Sequence, residues 1–213
     1  ELLSIKLRPK SLNDIIGQEH LVGENKIIYN LVRNKKLFSM ILYGHPGIGK
    51  TSIAIAIANE LGLRYRNLNA VINNKKDFDV VIEEAKLYGG LIVIVDEIHR
   101  LNKDKQDILL PYLESGIITL IGMTTANPYI RSRCQLFELY DLTRDDIKKG
   151  IDKAVLSGYL EGLSITDEAK DYLANISGSD LRFAYNTLEV AYYSSEDRNI
   201  TLEITPAAKH VMA

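Results

Sequence analysis

The run Leu91–Val95 constrains the fold of this chain more than any other segment. Its residues, Leu-Ile-Val-Ile-Val, are all apolar, with no polar residue at alternate positions. A strand of that kind needs cover on both faces, as a central strand has in a parallel sheet with helices on either side. Because other short β-rich runs alternate with helical patterns over the first two-thirds of the chain, the sequence predicts an α/β fold.

The periodic patterns divide the chain into an α/β part and a helical part. Strand signals nearly vanish after Thr143, and Pro111 is expected to kink or break the helix in which it lies. We therefore predict an α/β core over residues 1–141 and a small helical domain over residues 142–213. The predicted strands are Ser39–Tyr43, Tyr65–Asn69, Leu91–Val95, Ile117–Met123 and Leu136–Leu139, and the predicted helices are about Thr51–Leu61, Asp77–Tyr88, Lys103–Ser115, Arg144–Ser157, Asp167–Ile176 and Asp180–Tyr193.

The composition excludes several classes of protein. One cysteine in 213 residues, Cys134, rules out an internal disulfide framework and a multi-cysteine zinc site. The apolar runs are far shorter than the roughly 20 residues that span a bilayer, and the charged start lacks the features of a signal peptide. The net charge of −2 excludes a uniformly basic nucleic-acid binder but allows a local basic face. We expect a cytoplasmic protein and, since the chain does not begin with Met, a fragment.

A glycine-rich segment follows the first predicted strand and opens the first predicted helix. Residues 44–51, Gly-His-Pro-Gly-Ile-Gly-Lys-Thr, fit the pattern G-x-x-x-x-G-K-[ST] in the strand–loop–helix context that it requires. Its glycines let N–H groups and the helix N-terminus face phosphate oxygens. Lys50 supplies a positive charge between the β- and γ-phosphates, and the Thr51 hydroxyl is a Mg²⁺ ligand. The expected nucleotide contacts are Gly44, Pro46, Gly47, Ile48, Gly49, Lys50, Thr51 and Ser52.

Two carboxylates follow the apolar run. Asp96 lies at the edge where parallel α/β sheets bind ligands, and we expect it to hold Mg²⁺ together with Thr51. Glu97, one residue on, is placed to orient and deprotonate the attacking water. Because the chain has no Asn-Lys-x-Asp motif of the kind that reads guanine, ATP is favoured over GTP.

Several further motifs, in order along the chain, resemble those of the AAA+ ATPases. More narrowly they resemble the RarA/MgsA group, the bacterial relatives of Werner-helicase-interacting protein. The strings Asp-Glu-Ile-His-Arg-x-Asn-Lys at 96–103 and Thr-Thr-x-Asn-Pro at 124–128 are the most specific. The resemblance covers nearly the whole chain and implies a P-loop NTPase of the AAA+ type, with a parallel five-stranded sheet flanked by helices and a small all-helical lid. The other matching segments are Leu-Arg-Pro at 7–9, Ile-Gly-Gln-Glu-His-Leu at 16–21, Leu-Asn-Ala-Val at 68–71, Ser-Arg-Cys at 132–134 and Ser-Asp-Leu-Arg at 179–182.

The resemblance implies roles for residues outside the phosphate loop. Thr125 resembles the first sensor, which contacts the γ-phosphate or the attacking water, with Thr124 and Asn127 as close competitors. The residues expected against adenine and ribose are Arg8, Pro9 and the segment Ile15–Gln18, which includes Ile16 and Gly17.

Two arginines resemble groups that act on the γ-phosphate. Arg133 resembles the arginine finger that reaches into a neighbouring subunit's site, with Arg131 as its rival, and such a guanidinium stabilises charge on the transferring phosphoryl group. Arg182 resembles the second sensor, through which loss of the γ-phosphate could move the lid. A finger acting between subunits implies a homo-oligomer.

Two departures from the family pattern are visible. Ser179 replaces the glycine that usually precedes the Asp of the second-sensor motif, which puts the conformation of that turn in question. Only residues 127–135 separate the sensor strand from the next predicted strand, whereas a parallel crossover takes a dozen residues or more. We expect a loop to be missing from the sequence there, and we expect the family's C-terminal oligomerisation region to lie outside a sequence that stops at Ala213.

The residues and the resemblance together imply Mg²⁺-dependent hydrolysis of ATP, stimulated by DNA in the oligomer, in replication-fork maintenance, recombination and DNA repair. The expected partners are ATP and ADP, forked or single-stranded DNA, further copies of the chain and replication proteins, with no membrane and a nucleoid-associated location. A clamp-loader subunit and a branch-migration motor are alternatives within the AAA+ proteins. A nucleotide-gated scaffold without useful turnover is the alternative from a different class.

Overall fold

A computed structural model describes residues 1–125 and 134–203 of the chain. A single sheet carries strands β1 to β5, and a short two-stranded sheet carries β6 and β7. The helices are α1 (Leu3–Lys6), α2 (Glu19–Val22), α3 (Ile27–Arg33), α4 (Lys50–Leu61), α5 (Lys75–Tyr88), α6 (Lys103–Glu114), α7 (Arg144–Ser157), α8 (Asp167–Ile176) and α9 (Leu181–Ser194), and the strands are β1 (Met40–Tyr43), β2 (Arg64–Asn69), β3 (Leu91–Asp96), β4 (Ile118–Thr124), β5 (Gln135–Glu138), β6 (Ser164–Ile165) and β7 (Asn199–Ile200).

The five parallel strands of the main sheet run in the order β2-β3-β4-β1-β5. The central strand is β4, in which Thr124 pairs with Tyr43 of β1 and Gly122 pairs with Val95 of β3. The apolar run Leu91–Val95 is at most 3% exposed, since both of its faces are covered. The predicted parallel five-stranded sheet flanked by helices is therefore confirmed, and the carboxyl ends of its strands lie at one edge.

The buried helix α4 fixes the end of the loop that leaves this edge of the sheet after β1. In α4 the six consecutive residues from Ile53 to Ala58 are all buried, so the helix is covered on every side. Gly62, with φ +65°, ends it in the left-handed conformation. On the other elements, Phe78 and Leu109 pack with Val93 in one hydrophobic cluster.

The helix that contains Pro111 is continuous. α6 runs from Lys103 to Glu114 without the break that the proline favoured at the level of sequence. Leu109 is buried and Tyr112 and Leu113 pack against the core, which offsets the loss of one backbone hydrogen bond at the proline. The short helices α1, α2 and α3, each of 4 to 7 residues, were not predicted because they carry too few turns for a 3.6-residue period to show.

Contacts divide the chain into two compact units. The α/β unit consists of Pro9–His45 and the described residues of Gly49–Tyr140. The helical unit consists of Glu1–Arg8, Pro46–Ile48 and the described residues from Asp141 onward. The first residues join the helical unit because the Leu3 N–H donates to Oε1 of Glu189 at 2.9 Å and the Leu3 side chain is 1% exposed. Two segments from the first part of the chain, Glu1–Arg8 and Pro46–Ile48, thus group with the described residues from Asp141 onward, and the division into domains at residue 141 stays a prediction.

Within residues 1–125 and 134–203, no helix combines the length and the apolarity that crossing a membrane requires.

Helix α7 begins with a capping box. The Thr143 side chain accepts a hydrogen bond from the Asp146 N–H at 3.1 Å, and the Asp146 carboxylate accepts one from the Thr143 N–H at 2.9 Å. Two N–H groups that the helix itself leaves without acceptors are thus paired.

Thr143→Ala should lower the free energy of unfolding by about 1 kcal/mol, because alanine offers no acceptor to the first turn. Thr143→Ser retains the hydroxyl and should stay within a few tenths of a kcal/mol of the parent. Urea denaturation followed by circular dichroism measures both. An alanine variant as stable as the serine variant would contradict the role of this cap.

Candidate functional site

The glycine-rich loop connects β1 to α4 with two residues in left-handed backbone conformations. Gly47 has φ +77° and Gly49 has φ +113°, and Gly49 is the N-cap of α4. The N-cap of this helix is a glycine, so no N-cap side chain competes for the first-turn N–H groups of α4. A buried helix whose N-terminus is built in this way is suited to bind an anion.

Glycine is required at position 47 by the positive φ of the backbone and also by a neighbouring side chain. A Cβ at this position would lie 2.1 Å from Oδ1 of Asp180, the N-cap of α9. The Leu181 N–H also donates to the Gly47 carbonyl at 3.1 Å. These two contacts explain why Pro46–Ile48 groups with the helical unit.

The side chain of Lys50 folds back over the loop from which it emerges. Its Nζ donates to the carbonyl oxygen of Gly44 and, at 2.7 Å, to that of His45. The Gly44 N–H donates to the Thr124 carbonyl at 3.1 Å, which ties the start of the loop to the end of β4. The ammonium group is therefore held within the loop that the sequence assigned to phosphate.

The two predicted Mg²⁺ ligands belong to neighbouring parts of the α/β unit. Thr51, in the first turn of α4, donates from Oγ1 to the sulfur of Met123 on β4 at 3.6 Å. Asp96 ends β3, beside β4, and its side chain is exposed at the carboxyl edge of the sheet. Its Oδ1 accepts the Glu97 N–H at 2.9 Å, which leaves Oδ2 to accept another bond or bind a cation.

Glu97 has an unusual backbone. Its φ of +56° places a non-glycine residue in the left-handed region, as the N-cap of the short turn Ile98–Arg100. The turn is seated on β4 by Ile98, because a Cβ on Gly122 would meet the Ile98 side chain at 3.0 to 3.2 Å. Strained residues of this kind persist only where their surroundings hold them in place.

The two threonines at the end of β4 have different environments. Thr124 is 1% exposed, and its Oγ1 lies 2.7 Å from Nδ1 of His99. Nε2 of the same imidazole lies 3.5 Å from Oε2 of Glu97. Thr125, the residue favoured as the first sensor, is exposed one position further on. His99 was not predicted as a site residue, although its place in the string 96–103 offered a signal.

The segment expected against adenine is held by Gln18, its last residue, to Tyr140 just beyond the end of β5. Gly17 and Gln18 both have positive φ, of 72° and 57°. The buried Gln18 amide donates to the Tyr140 carbonyl at 2.7 Å and accepts the Tyr140 N–H at 2.9 Å, much as a neighbouring strand would. His20 stacks on the Tyr140 ring, with 3.9 Å between ring centroids. Ile16 and Gly17 are positioned through these contacts within the α/β unit.

Comparisons with known proteins decide the family. The family model of the Holliday junction DNA helicase RuvB P-loop domain matches residues 7–145. Replication-associated recombination protein A of Bacillus subtilis is 52% identical over 218 residues, which cover 94% of this chain and 51% of that protein. Its counterpart in Escherichia coli is 35% identical over 202 residues, which cover 88% of this chain and 45% of that protein.

The chain belongs to the RarA group of the AAA+ ATPases. Residues 7–145 thus form a P-loop domain of the AAA+ type, and the relatives that match the chain are named for replication-associated recombination. The chain spans about half the length of the curated relatives that it matches.

The fold is also that of solved AAA+ structures. RuvB of Thermotoga maritima, described as a Holliday junction branch migration motor, superposes with a TM-score of 0.78 at 28% identity. The superposition covers 96% of this chain and 72% of the RuvB chain.

The second-sensor candidate of this AAA+ chain stands at the start of α9. Arg182 is exposed and follows directly after Leu181, whose N–H is bonded to Gly47 of the phosphate loop. The question raised by Ser179 has a structural answer: Gly178, one position earlier, has φ +59° and supplies the left-handed residue of the turn. The Asp180 N–H donates to the Ser177 carbonyl at 3.0 Å and closes that turn.

Of the remaining predicted site residues, some lie within the described residues and others lie outside them. Arg8 is the last residue of the first segment of the helical unit, whereas Pro9 begins the α/β unit. The arginine-finger candidate Arg133 and the rival positions Arg131 and Asn127 lie outside the described residues, as does most of the short crossover.

The residues at the sheet edge fit a nucleotide with Mg²⁺. Loop N–H groups and the Lys50 ammonium suit phosphate oxygens, and the Thr51 hydroxyl and the Asp96 carboxylate are hard oxygen donors. In the parts of the chain that the structure describes, no three His, Cys, Asp or Glu side chains cluster in a way that could hold a metal. Mg²⁺ at nucleotide sites takes most of its ligands from phosphates and water, so two protein ligands are sufficient.

Gly47→Ala should destabilise the protein more than Gly62→Ala. Both changes place a Cβ on a residue with positive φ, at a cost of about 1–2 kcal/mol, but nothing lies within 4 Å of the Cβ at Gly62. The collision with Asp180 should add about 1 kcal/mol or more at Gly47. Chemical denaturation of the two variants, and of Gly47→Ala combined with Asp180→Ala, separates the collision from the backbone cost. Equal losses for the two single variants would show that the contact with Asp180 does not constrain Gly47.

Proposed function

We propose that this chain binds ATP together with Mg²⁺ at the carboxyl edge of its main sheet and hydrolyses the γ-phosphate. One observation carries the proposal: the start of α4, with Lys50 and Thr51, and the end of β3, with Asp96 and Glu97, both meet β4 at its carboxyl end. Phosphate-binding, metal-binding and proton-accepting groups are thereby combined in one unit. That combination distinguishes a hydrolytic site from a simple anion site.

Each group has a distinct role in the proposed reaction. The loop N–H groups bind phosphate oxygens and the Lys50 ammonium offsets the charge of the β- and γ-phosphates. Thr51 and Asp96 would hold Mg²⁺, which when bound neutralises phosphate charge. Glu97 accepts a proton from the attacking water, and an ionised carboxylate is the form of that side chain that can do so.

Further groups complete the site in the proposed oligomer. Arg182 contacts the γ-phosphate from α9, and Arg133 of a neighbouring copy stabilises the charge that develops on the phosphoryl group. Thr124 or Thr125 acts as the first sensor, while Arg8, Pro9, Ile16 and Gly17 bound the adenine and ribose. Through Arg182, loss of the γ-phosphate would remove one of the anchors of α9.

The biological setting follows from the relatives. The Bacillus subtilis relative is named for replication-associated recombination and shares 52% of its aligned residues with this chain. We propose that the intact protein is a DNA-stimulated, oligomeric ATPase that acts at replication forks in the nucleoid and works with replication proteins. The structural likeness to the RuvB branch migration motor supports a second candidate, branch migration at four-way junctions.

Lys50→Ala should abolish ATP binding, whereas Glu97→Gln should bind ATP with the affinity of the parent and lose turnover. The lysine contributes to binding in the ground state, while the carboxylate acts on water in the chemical step. Fluorescent nucleotide titration and phosphate release measure the two properties. Glu60→Gln, which removes an exposed carboxylate from α4, is the matched control and should change neither. Parental turnover in Glu97→Gln would remove the general-base assignment.

Forked DNA should raise phosphate release by the intact protein above its rate without DNA. The panel of substrates is single-stranded, duplex, forked and four-way-junction DNA at equal nucleotide concentration and fixed salt, since salt alone alters such binding. A rate that no DNA changes would contradict the fork-ATPase proposal. Stimulation by four-way junctions alone would instead support branch migration, and a requirement for a sliding clamp would support a clamp loader.

A further inference from the structure

His99 lies between the buried end of β4 and the carboxylate proposed as the general base. One ring nitrogen, Nδ1, is 2.7 Å from Oγ1 of Thr124, and the other, Nε2, is 3.5 Å from Oε2 of Glu97. The three side chains therefore form a continuous path from a residue that is 1% exposed to the edge of the sheet.

Hydrogen-bonding chemistry indicates which atom donates and which accepts at each of the two contacts of His99. An ionised carboxylate only accepts hydrogen bonds, so the imidazole faces Glu97 with an Nε2–H. In the tautomer that carries its proton on Nε2, Nδ1 is the acceptor and the Thr124 hydroxyl is the donor next to it. A hydroxyl donor at Nδ1 favours this tautomer and orients the ring, which places Nε2 3.5 Å from Oε2 of Glu97.

The same threonine reaches the phosphate loop through its backbone. Its carbonyl accepts the Gly44 N–H at 3.1 Å, and Gly44 in turn accepts a hydrogen bond from Nζ of Lys50. Thr124 therefore contacts the glycine-rich loop with its main chain and the short turn Ile98–Arg100 with its side chain.

The backbone at Glu97 needs such a support. A left-handed non-glycine residue is strained and persists only where its neighbours hold it. Packing of Ile98 on Gly122 holds the turn as a whole, but it does not orient the Glu97 side chain. His99 is the neighbour that contacts the carboxylate itself.

We propose that Thr124 and His99 are positioning residues that orient the carboxylate of Glu97 relative to the phosphate loop. The inference rests on the proposed function, in which Glu97 is the general base. It assigns His99 a role that the motif alone does not give, and it separates Thr124 from the exposed Thr125. Misplacing a general base by about 1 Å can cost about a hundredfold in rate.

The test uses variants of the intact protein that each remove one polar atom from the contacts among Thr124, His99 and Glu97. Thr124→Val removes the hydroxyl with little change in shape, and Thr124→Ser restores it. His99→Asn retains a polar atom near the position of Nδ1 but has none at the position of Nε2. Turnover at saturating ATP, ATP affinity and melting temperature are measured for each variant, with Glu60→Gln as the control that should change none of them.

We expect Thr124→Val and His99→Asn to lower kcat ten- to a hundredfold, with ATP affinity within twofold of the parent. Thr124→Ser should recover most of the kcat. In the Glu97→Gln background, Thr124→Val should cause no further loss, because the group that it orients is already gone. A parental kcat in Thr124→Val would overturn the proposal. So would a loss of affinity and melting temperature that parallels the loss of kcat, since that indicates a purely structural contact.

The design distinguishes failure of this inference from failure of the proposed function. If Glu97→Gln keeps parental turnover, the general-base assignment fails and the inference fails with it. If Glu97→Gln is inactive while Thr124→Val and His99→Asn are fully active, the hydrolytic site stands and only the positioning role is overturned.

Discussion

The parallel pairing of β4 between β1 and β3 is the constraint on which the site depends. It places Thr124 beside Tyr43, the last residue of β1 before the glycine-rich loop, and Gly122 beside Val95, the residue before Asp96. The groups proposed to bind phosphate and the two carboxylates come from segments far apart in sequence, yet both segments contact the carboxyl end of β4, because parallel strands end at one edge. The apolar run in β3 stabilises that arrangement, since it is covered on both faces.

Close packing around small residues sets the local geometry within each unit. Gly122 gives room to Ile98 in the α/β unit, and Gly47 gives room to Asp180 in the helical unit. Each contact joins a loop to a regular element, so the polar groups nearby are held by packing as well as by hydrogen bonds. This explains how Glu97 keeps a left-handed backbone next to the strand that ends in Asp96. Preorganisation of this kind is what a hydrolytic site requires of its scaffold.

Sequence reasoning predicted the elements that carry strong patterns and missed those that depend on tertiary contacts. The strand that leads to Asp96 and the helix α7, which begins at Arg144, were predicted because periodicity and capping residues are local signals. The paired contacts of Gln18 with Tyr140 and of Thr124 with His99 span 122 and 25 residues, so no local pattern reveals them. The break favoured at Pro111 did not occur, because burial of the same helix outweighs one lost hydrogen bond.

The central claim is that Lys50, Thr51 and Asp96 form one ATP site with a shared Mg²⁺ ion. The most direct measurement is calorimetric titration of the chain with ATP, with and without Mg²⁺, for the parent and for Asp96→Asn. One ATP should bind per chain, Mg²⁺ should strengthen binding by the parent, and Asp96→Asn should lose that strengthening while retaining the metal-free affinity. Absence of binding, or the same response to Mg²⁺ in both proteins, would contradict the claim.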